Sequence, residues 1–239
     1  MKYDAGRWPI AIALIICTLL ATNSYQKIRR YNGTISVKGC AEKHITSDFA
    51  KWEGTISATG KTLAEAYAKL EKDNALLEEY FQKEKVDSTE LTLAAIHTNT
   101  LYKTNEKGYA TNEIEGYTLS RHFSIATTHI ELVKRLSQQI TSLIKEGVEI
   151  VSYAPQYLYR HLDELKILML AEASRDARSR ADAMLTNTQS TTGGLRYAQQ
   201  GVFQITPAYS TSVSDYGEYD TTSIEKTIKA VVTMEFSVE

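Results

Sequence analysis

Five histidines, two cysteines and one dense run of charge are the side chains of this 239-residue chain with the most obvious capacity for chemistry. The histidines are His44, His97, His122, His129 and His161. None stands in a two-ligand spacing such as H-E-x-x-H, and no cysteine pair supports them, so no metal site is assigned. His97 and His122 fall on two successive strand-like segments and would face each other in one register; a surface pair explains them equally well. Nucleophilic catalysis needs a serine or cysteine beside an oriented base. The chain has no G-x-S-x-G and no G-x-x-x-x-G-K, and its 12 glycines form no phosphate cradle. No residue is therefore given a catalytic, cofactor-binding or metal-ligating role, no cofactor is expected, and the chain is not read as an enzyme. Glu172, Arg175, Asp176, Arg178, Arg180 and Asp182 fit a solvated helix face laced with i,i+4 pairs, or a subunit contact made by its arginines.

Cys17 lies in an apolar run and Cys40 in a strand of the polar part, environments too different for the close approach a disulfide demands. Cys40 is read as buried and inert. Net charge is −2, with both signs dispersed. No basic stripe marks a nucleic-acid surface. Tyrosine is abundant, at 15, against 5 Phe and 2 Trp. Such a ring suits surfaces that are half apolar and half wet.

The elements that must position these residues follow from periodicity. Thr34–Ala41 and Ala50–Ala58 read as strands, joined as a hairpin across His44–Asp48. Thr62 and Glu65 form a capping-box pair opening a helix with Leu63, Ala66, Tyr67, Leu70, Leu77, Tyr80 and Phe81 on one face. Leu91–Tyr102 and Gly116–Thr128 form a long-looped hairpin. Ile130–Glu146 is helical, stopped by left-handed Gly147. Val148–Arg160 is a strand that Pro155 interrupts. Leu162–Leu185 is the longest helix, with Leu165, Met169, Ala173, Ala177, Ala181 and Met184 as its buried stripe. Leu195–Ile205 and Lys226–Glu239 are strands, separated by a polar loop, Thr206–Ser223, that carries Tyr209, Tyr216 and Tyr219. The order implies an α+β fold, mostly antiparallel sheet packed by about three helices.

Ahead of all this stands Trp8–Ala21, about 14 apolar residues, or about 18 if counted to Tyr25. Residues 1–26 read as a signal-anchor segment and 27–239 as the folded domain. Trp8 and Tyr25 would sit at the two faces of a bilayer. Cleavage after Ala21 or Ser24 would instead release the domain. Lys2 and Arg7 precede the run; Lys27, Arg29 and Arg30 follow it. That charge pattern slightly favours keeping the domain inside, although long domains translocate regardless.

Taken together, TISVKGCAEKHITSDFAKW, LAEAYAKLEKDNALLEEYFQKEKV with DSTELTLAAI, and the later QYLYRHLDELKILMLAEASRDARSRADAML, GGLRYAQQGVFQI and KAVVTMEFSV resemble the SIMPL-domain family. The likeness runs from about Thr34 to Val238 and rests on the strand I-x-V-x-G-x-(A/S)-E and on the order of the segments. It implies a bacterial, extracytoplasmic α+β protein that self-assembles, with a loose link to oxidative-stress defence and no catalytic residue to carry over. It also decides the orientation: inner membrane through residues 8–25 with the domain in the periplasm, or periplasmic release after cleavage. The tyrosine loop stands out as an insertion. The expected role is a self-associating structural or stress-protective module that forms a homo-oligomer and binds no nucleic acid. A periplasmic ligand-binding or enzymatic domain, and an accessory subunit with an unidentified protein partner, are the alternatives.

Overall fold

The computed structural model describes residues 7–30 and 33–239, with the side chains of the first helix described from 12 to 23. That helix, α1, spans Arg7–Arg30. The interfacial placement expected of Trp8 and Tyr25 lies outside the described side chains. Among the described residues no helix is long and apolar enough to cross a membrane.

The rest is α+β, built as two five-stranded, mostly antiparallel sheets. In chain order come β1 (Thr34–Thr46), β2 (Phe49–Gly60), α2 (Leu63–Lys83), β3 (Leu91–Thr104), β4 (Ala110–Thr127) and α3 (Ile130–Gln139). A 3₁₀ segment, Ile140–Glu146, extends α3, and Gly147 ends it at φ 90° as its sequence position predicts. Then follow β5 (Glu149–Ser152), β6 (Gln156–Leu158), α4 (Leu162–Leu185), β7 (Thr192–Gln200), β8 (Gln204–Pro207), β9 (Glu218–Tyr219) and β10 (Glu225–Val238).

The expected β1–β2 hairpin does not form. β1 pairs along its whole length with β10, and β2 pairs with β4, β5 and β6. Ser47 and Asp48 separate the two strands, a length that could close a tight hairpin, but each gives its N–H elsewhere, to the carbonyls of Ile224 and Leu158. The chain thus runs from one sheet directly into the other.

Each sheet is a β-α-β-β unit. In one, β2 precedes α2, and the hairpin β3–β4 returns so that β4 lies between its partners. In the other, β1 is the first strand, α4 the helix, and β10 lies between β1 and β7. The second unit is therefore split in sequence, with the first inserted between its opening strand and its helix. Each has its own core. Trp52, Phe81 and Phe123 meet edge to face beneath α2, at centroid separations of 5.4–6.4 Å. Beneath α4, the small stripe Ala173, Ala177 and Ala181 packs with Val37, Ala41, Ile228, Ala230 and Val232. Leu185 closes that stripe; Met184, expected there, is 59% exposed.

The small residues have a specific purpose. A Cβ on Gly39 would lie 2.6 Å from the Ala177 nitrogen and overlap the Ala173 carbonyl. Helix backbone therefore rests directly on strand backbone, and only glycine under alanine allows that approach. Asp176 locks the contact by accepting the Cys40 N–H at 2.8 Å. Cys40 itself is half-buried rather than buried, because its side chain lies on the sheet face away from α4.

The hairpin β3–β4 is tighter and longer than its polar connector suggested. Both strands run into that connector, and Asn105–Gly108 closes the turn. Pro155 interrupts pairing as expected, leaving β5 and β6 as two short partners of β2.

Candidate functional site: a pinned tyrosine loop

The histidines do not converge. His97 sits opposite Ser120 in the β3–β4 register, so the His97–His122 juxtaposition is not made. His122 instead faces Thr55 at 3.3 Å, with Glu53 at 3.8 Å. His44 bonds the Thr227 hydroxyl at 3.0 Å, and His161, at the start of α4, lies 3.7 Å from Glu164 in that helix's first turn. Among the described residues no three His, Cys, Asp or Glu side chains are grouped to hold a metal ion.

The charge run on α4 does form i,i+4 pairs, Asp176–Arg180 at 2.7 Å and Arg178–Asp182 at 3.4 Å. Two of its members also bind the helix to the sheet. Arg178 donates to the carbonyls of Thr192 and Gly193 at 2.6 and 2.7 Å and lies over the Phe236 ring. The Cys40 N–H, helped by Arg180, holds the Asp176 carboxyl below its ordinary pKa.

The most organised feature is the connection from β8 to β10. Its tip presents Tyr209, 91% exposed, Tyr216, 97% exposed, and Val213. An eighteen-residue polar loop would ordinarily be loose, but this one is fixed at three points. The buried Gln204 side chain acts like a strand partner: its amide N–H donates to the Ser214 carbonyl at 2.5 Å, and its oxygen accepts the Ser214 N–H at 3.3 Å. β9 then pairs in parallel with β8, aligning Tyr219 with Ile205.

The third point is a buried ion pair. Lys226, 1% exposed, donates to Asp220 at 3.2 Å and to the Ser223 carbonyl. Asp220 also accepts the Thr222 N–H at 2.8 Å, the Thr222 hydroxyl at 2.7 Å and the Ser223 N–H at 3.3 Å, together with the Ser223 hydroxyl. Burial alone would raise its pKa; the hydrogen bonds from Ser223, Thr222 and Lys226 outweigh that and hold it far below the usual carboxylate range. Burial pushes the Lys226 ammonium down, and Asp220 opposes that only in part. A buried pair of this kind adds little net stability but is costly to break, so it fixes one geometry. The segment also joins the two units, since Tyr157 on β6 donates its N–H to the Thr221 carbonyl at 2.7 Å.

Tyr209 holds a left-handed backbone, φ 65°, and its ring lies 5.7 Å from that of His44 on β1. Beneath the loop, Phe203, Tyr216, Tyr219 and Lys166 line an open groove of about 470 Å³.

The sequence alone missed the Lys226–Asp220 pair. A signal was present: Lys226 is in phase with Ile228, Ala230 and Val232 on the core face of a strictly alternating strand, where a lysine requires a counter-charge.

The architecture defines a class: an α+β protein of two linked β-α-β-β units, each with one helix laid over three principal strands. Residues 35–236 match the sequence model of SIMPL, described as a protein of unknown function (DUF541), and the chain belongs to that family. Among curated proteins none matches the chain.

Proposed function

We propose that the chain is a membrane-tethered, exported SIMPL module that works by assembling with copies of itself, with the tyrosine loop as a contact surface. The observation that carries this is the pinned loop. Three separate anchors hold Tyr209 and Tyr216 almost fully in solvent, so binding through them loses little conformational entropy. Tyrosines so placed are the residue type that dominates binding energy at interfaces.

The tether rests on a second observation. Ile12, Leu14, Ile15, Ile16, Leu19 and Leu20 are all exposed and lie on every side of α1. A helix apolar all round needs an apolar surrounding, and lipid supplies it. The link to oxidative-stress defence would then operate through assembly at the membrane.

Light scattering of the detergent-extracted full-length protein tests the reading, alongside Tyr209→Ser/Tyr216→Ser. Wild type should run as several copies. The double variant should run smaller while its melting temperature stays unchanged, because neither ring is buried. Monomeric wild type at tens of micromolar, an order-of-magnitude loading for an interface of standard size, sinks the proposal.

A further inference from the structure

The edges of the two sheets are guarded unequally. β1 lies under α4, carries Lys38, Glu42 and Lys43, and has an outward N–H taken by Asp176 at 2.8 Å. The other edge of that sheet consists of β7, 9 residues with Arg196, and β9, 2 residues. In the second sheet, β5 and β6 are 4 and 3 residues long, with Pro155 between them.

β3 differs from all of these. It is 14 residues long, and from Leu91 to Tyr102 it contains no Asp, Glu, Lys, Arg, Pro or Gly. Its pairing is irregular only near its ends: a bulge at Ala94–Ala95, where Arg121 donates to the Ala94 carbonyl at 3.0 Å, and register shifts beyond Leu101, leaving Ile96–Leu101 regular. From Ile96 onward, among the described residues, its backbone has no strand partner except β4. Folded proteins interrupt long edges with charge, proline or cover because a bare edge is a template for another strand.

The hairpin also outruns its sheet. The β2–β4 pairing ends at Gly60 opposite Tyr117, so β4 residues 110–116 and the end of β3 continue as a two-stranded ribbon. Such a ribbon is marginally stable by itself, and it exposes Tyr102, Tyr109 and Ile114.

We propose that the open edge of β3 pairs antiparallel with β3 of a second copy, joining two sheets across a two-fold axis. This rests on the self-association proposed above and names a second contact for it. Charge points to a copy of the same chain as the occupant. An antiparallel self-pair centred near Thr98 sets no like charges opposite each other, and Lys103, the first charge on the strand, is already paired with Glu113 of its own hairpin at 2.9 Å. An isologous contact of this kind closes on itself, leaving the tyrosine loop free to link one pair to the next.

The test uses two full-length, detergent-extracted variants, His97→Lys/Asn99→Lys and His97→Glu/Asn99→Glu. Both positions are exposed, and near the two-fold axis each strand would meet its own charge. Each variant alone should lose about half the wild-type assembly mass. An equimolar mixture should recover it, since Lys then faces Glu. If wild type is assembled and both variants keep its mass, the β3 assignment is overturned while self-association stands. If wild type is monomeric, both proposals fall. If each variant loses mass but the mixture recovers none, the assignment is likewise overturned. A different protein as occupant appears as that first outcome, with copy–copy mass indifferent to charge.

Discussion

Replacing Gly39 by alanine adds only one methyl group, yet it should cost about as much as truncating a large core residue. The added carbon would stand 2.6 Å from the Ala177 nitrogen and 2.7 Å from the Ala177 Cβ, and would overlap the Ala173 carbonyl. Ordinary contacts at such a carbon are 3.4–4 Å, so α4 must retreat by about 1 Å over its central turns. Two of the obstructing atoms belong to helix backbone, which has no rotamer to change. Overpacking a core costs about 1–3 kcal/mol, and an immovable obstacle places this case near about 3 kcal/mol. The retreat also stretches the bond from Cys40 to Asp176, the neighbouring tie between strand and helix. For a domain of this size, each kcal/mol shifts Tm by about 2–4 °C, so the expected fall is about 6–12 °C. Differential scanning calorimetry of the detergent-extracted protein reads it, with Gly194→Ala as control because nothing lies within 4 Å of a carbon added there. A Gly39→Ala protein melting within about 2 °C of wild type would refute direct backbone contact between α4 and β1.

Thr62→Ala removes the hydroxyl that accepts the Glu65 N–H at 3.2 Å in the capping box of α2; the expected loss is about 1 kcal/mol, read as a shift in chemical-denaturation midpoint with an unchanged slope. Asp220→Asn leaves the Lys226 ammonium buried without its counter-charge and should cost about 3–5 kcal/mol. For pH, Asp220 is the group with the depressed folded pKa. Its contribution is therefore complete above the unfolded value of about 3.9 and drains away as pH falls below that toward the folded value. Acid unfolding of wild type should show this loss, and Asp220→Asn should lack it; identical acid limbs in the two proteins would remove Asp220 from the account.

Local pattern located most elements and failed at pairings across the chain. The capping box at Thr62, the left-handed stop at Gly147 and both ends of α4 were legible because each depends on a few neighbouring residues. The β1–β2 hairpin was a reasonable expectation from two adjacent strands, but the partner of β1 lies nearly two hundred residues away, and local sequence carries no register for it. Separation into two sheets was hidden for the same reason. The Ala173, Ala177 and Ala181 stripe announced a close approach, yet only the structure identifies Gly39 as its counterpart. The tyrosine loop was recognised as polar and unusual. Its rigidity was not, because the fixing residues Gln204 and Lys226 sit on flanking strands and face inward. Five histidines attracted attention out of proportion to their placement, since a titratable side chain is conspicuous in sequence whether or not the topology gives it a neighbour.

The split unit makes the two halves unequal partners. β2, α2, β3 and β4 are continuous in sequence and bury their own core around Trp52, Phe81 and Phe123. The other unit must join β1 to α4 and β10 across everything between them. With the inserted unit unfolded, that is a loop of about 110 residues, whose closure costs entropy before any contact of β1 is made. With it folded, Ser47 and Asp48 are already beside the returning chain, and Asp48 accepts the Arg160 N–H at 2.9 Å. The inserted unit is thus a clamp that brings both ends of the second unit together, and the loop bearing Tyr209 and Tyr216 belongs to that dependent unit. Loss of structure around Trp52 should therefore also release the loop that bears Tyr209 and Tyr216, whereas disturbing the α4 core should leave β3 in place.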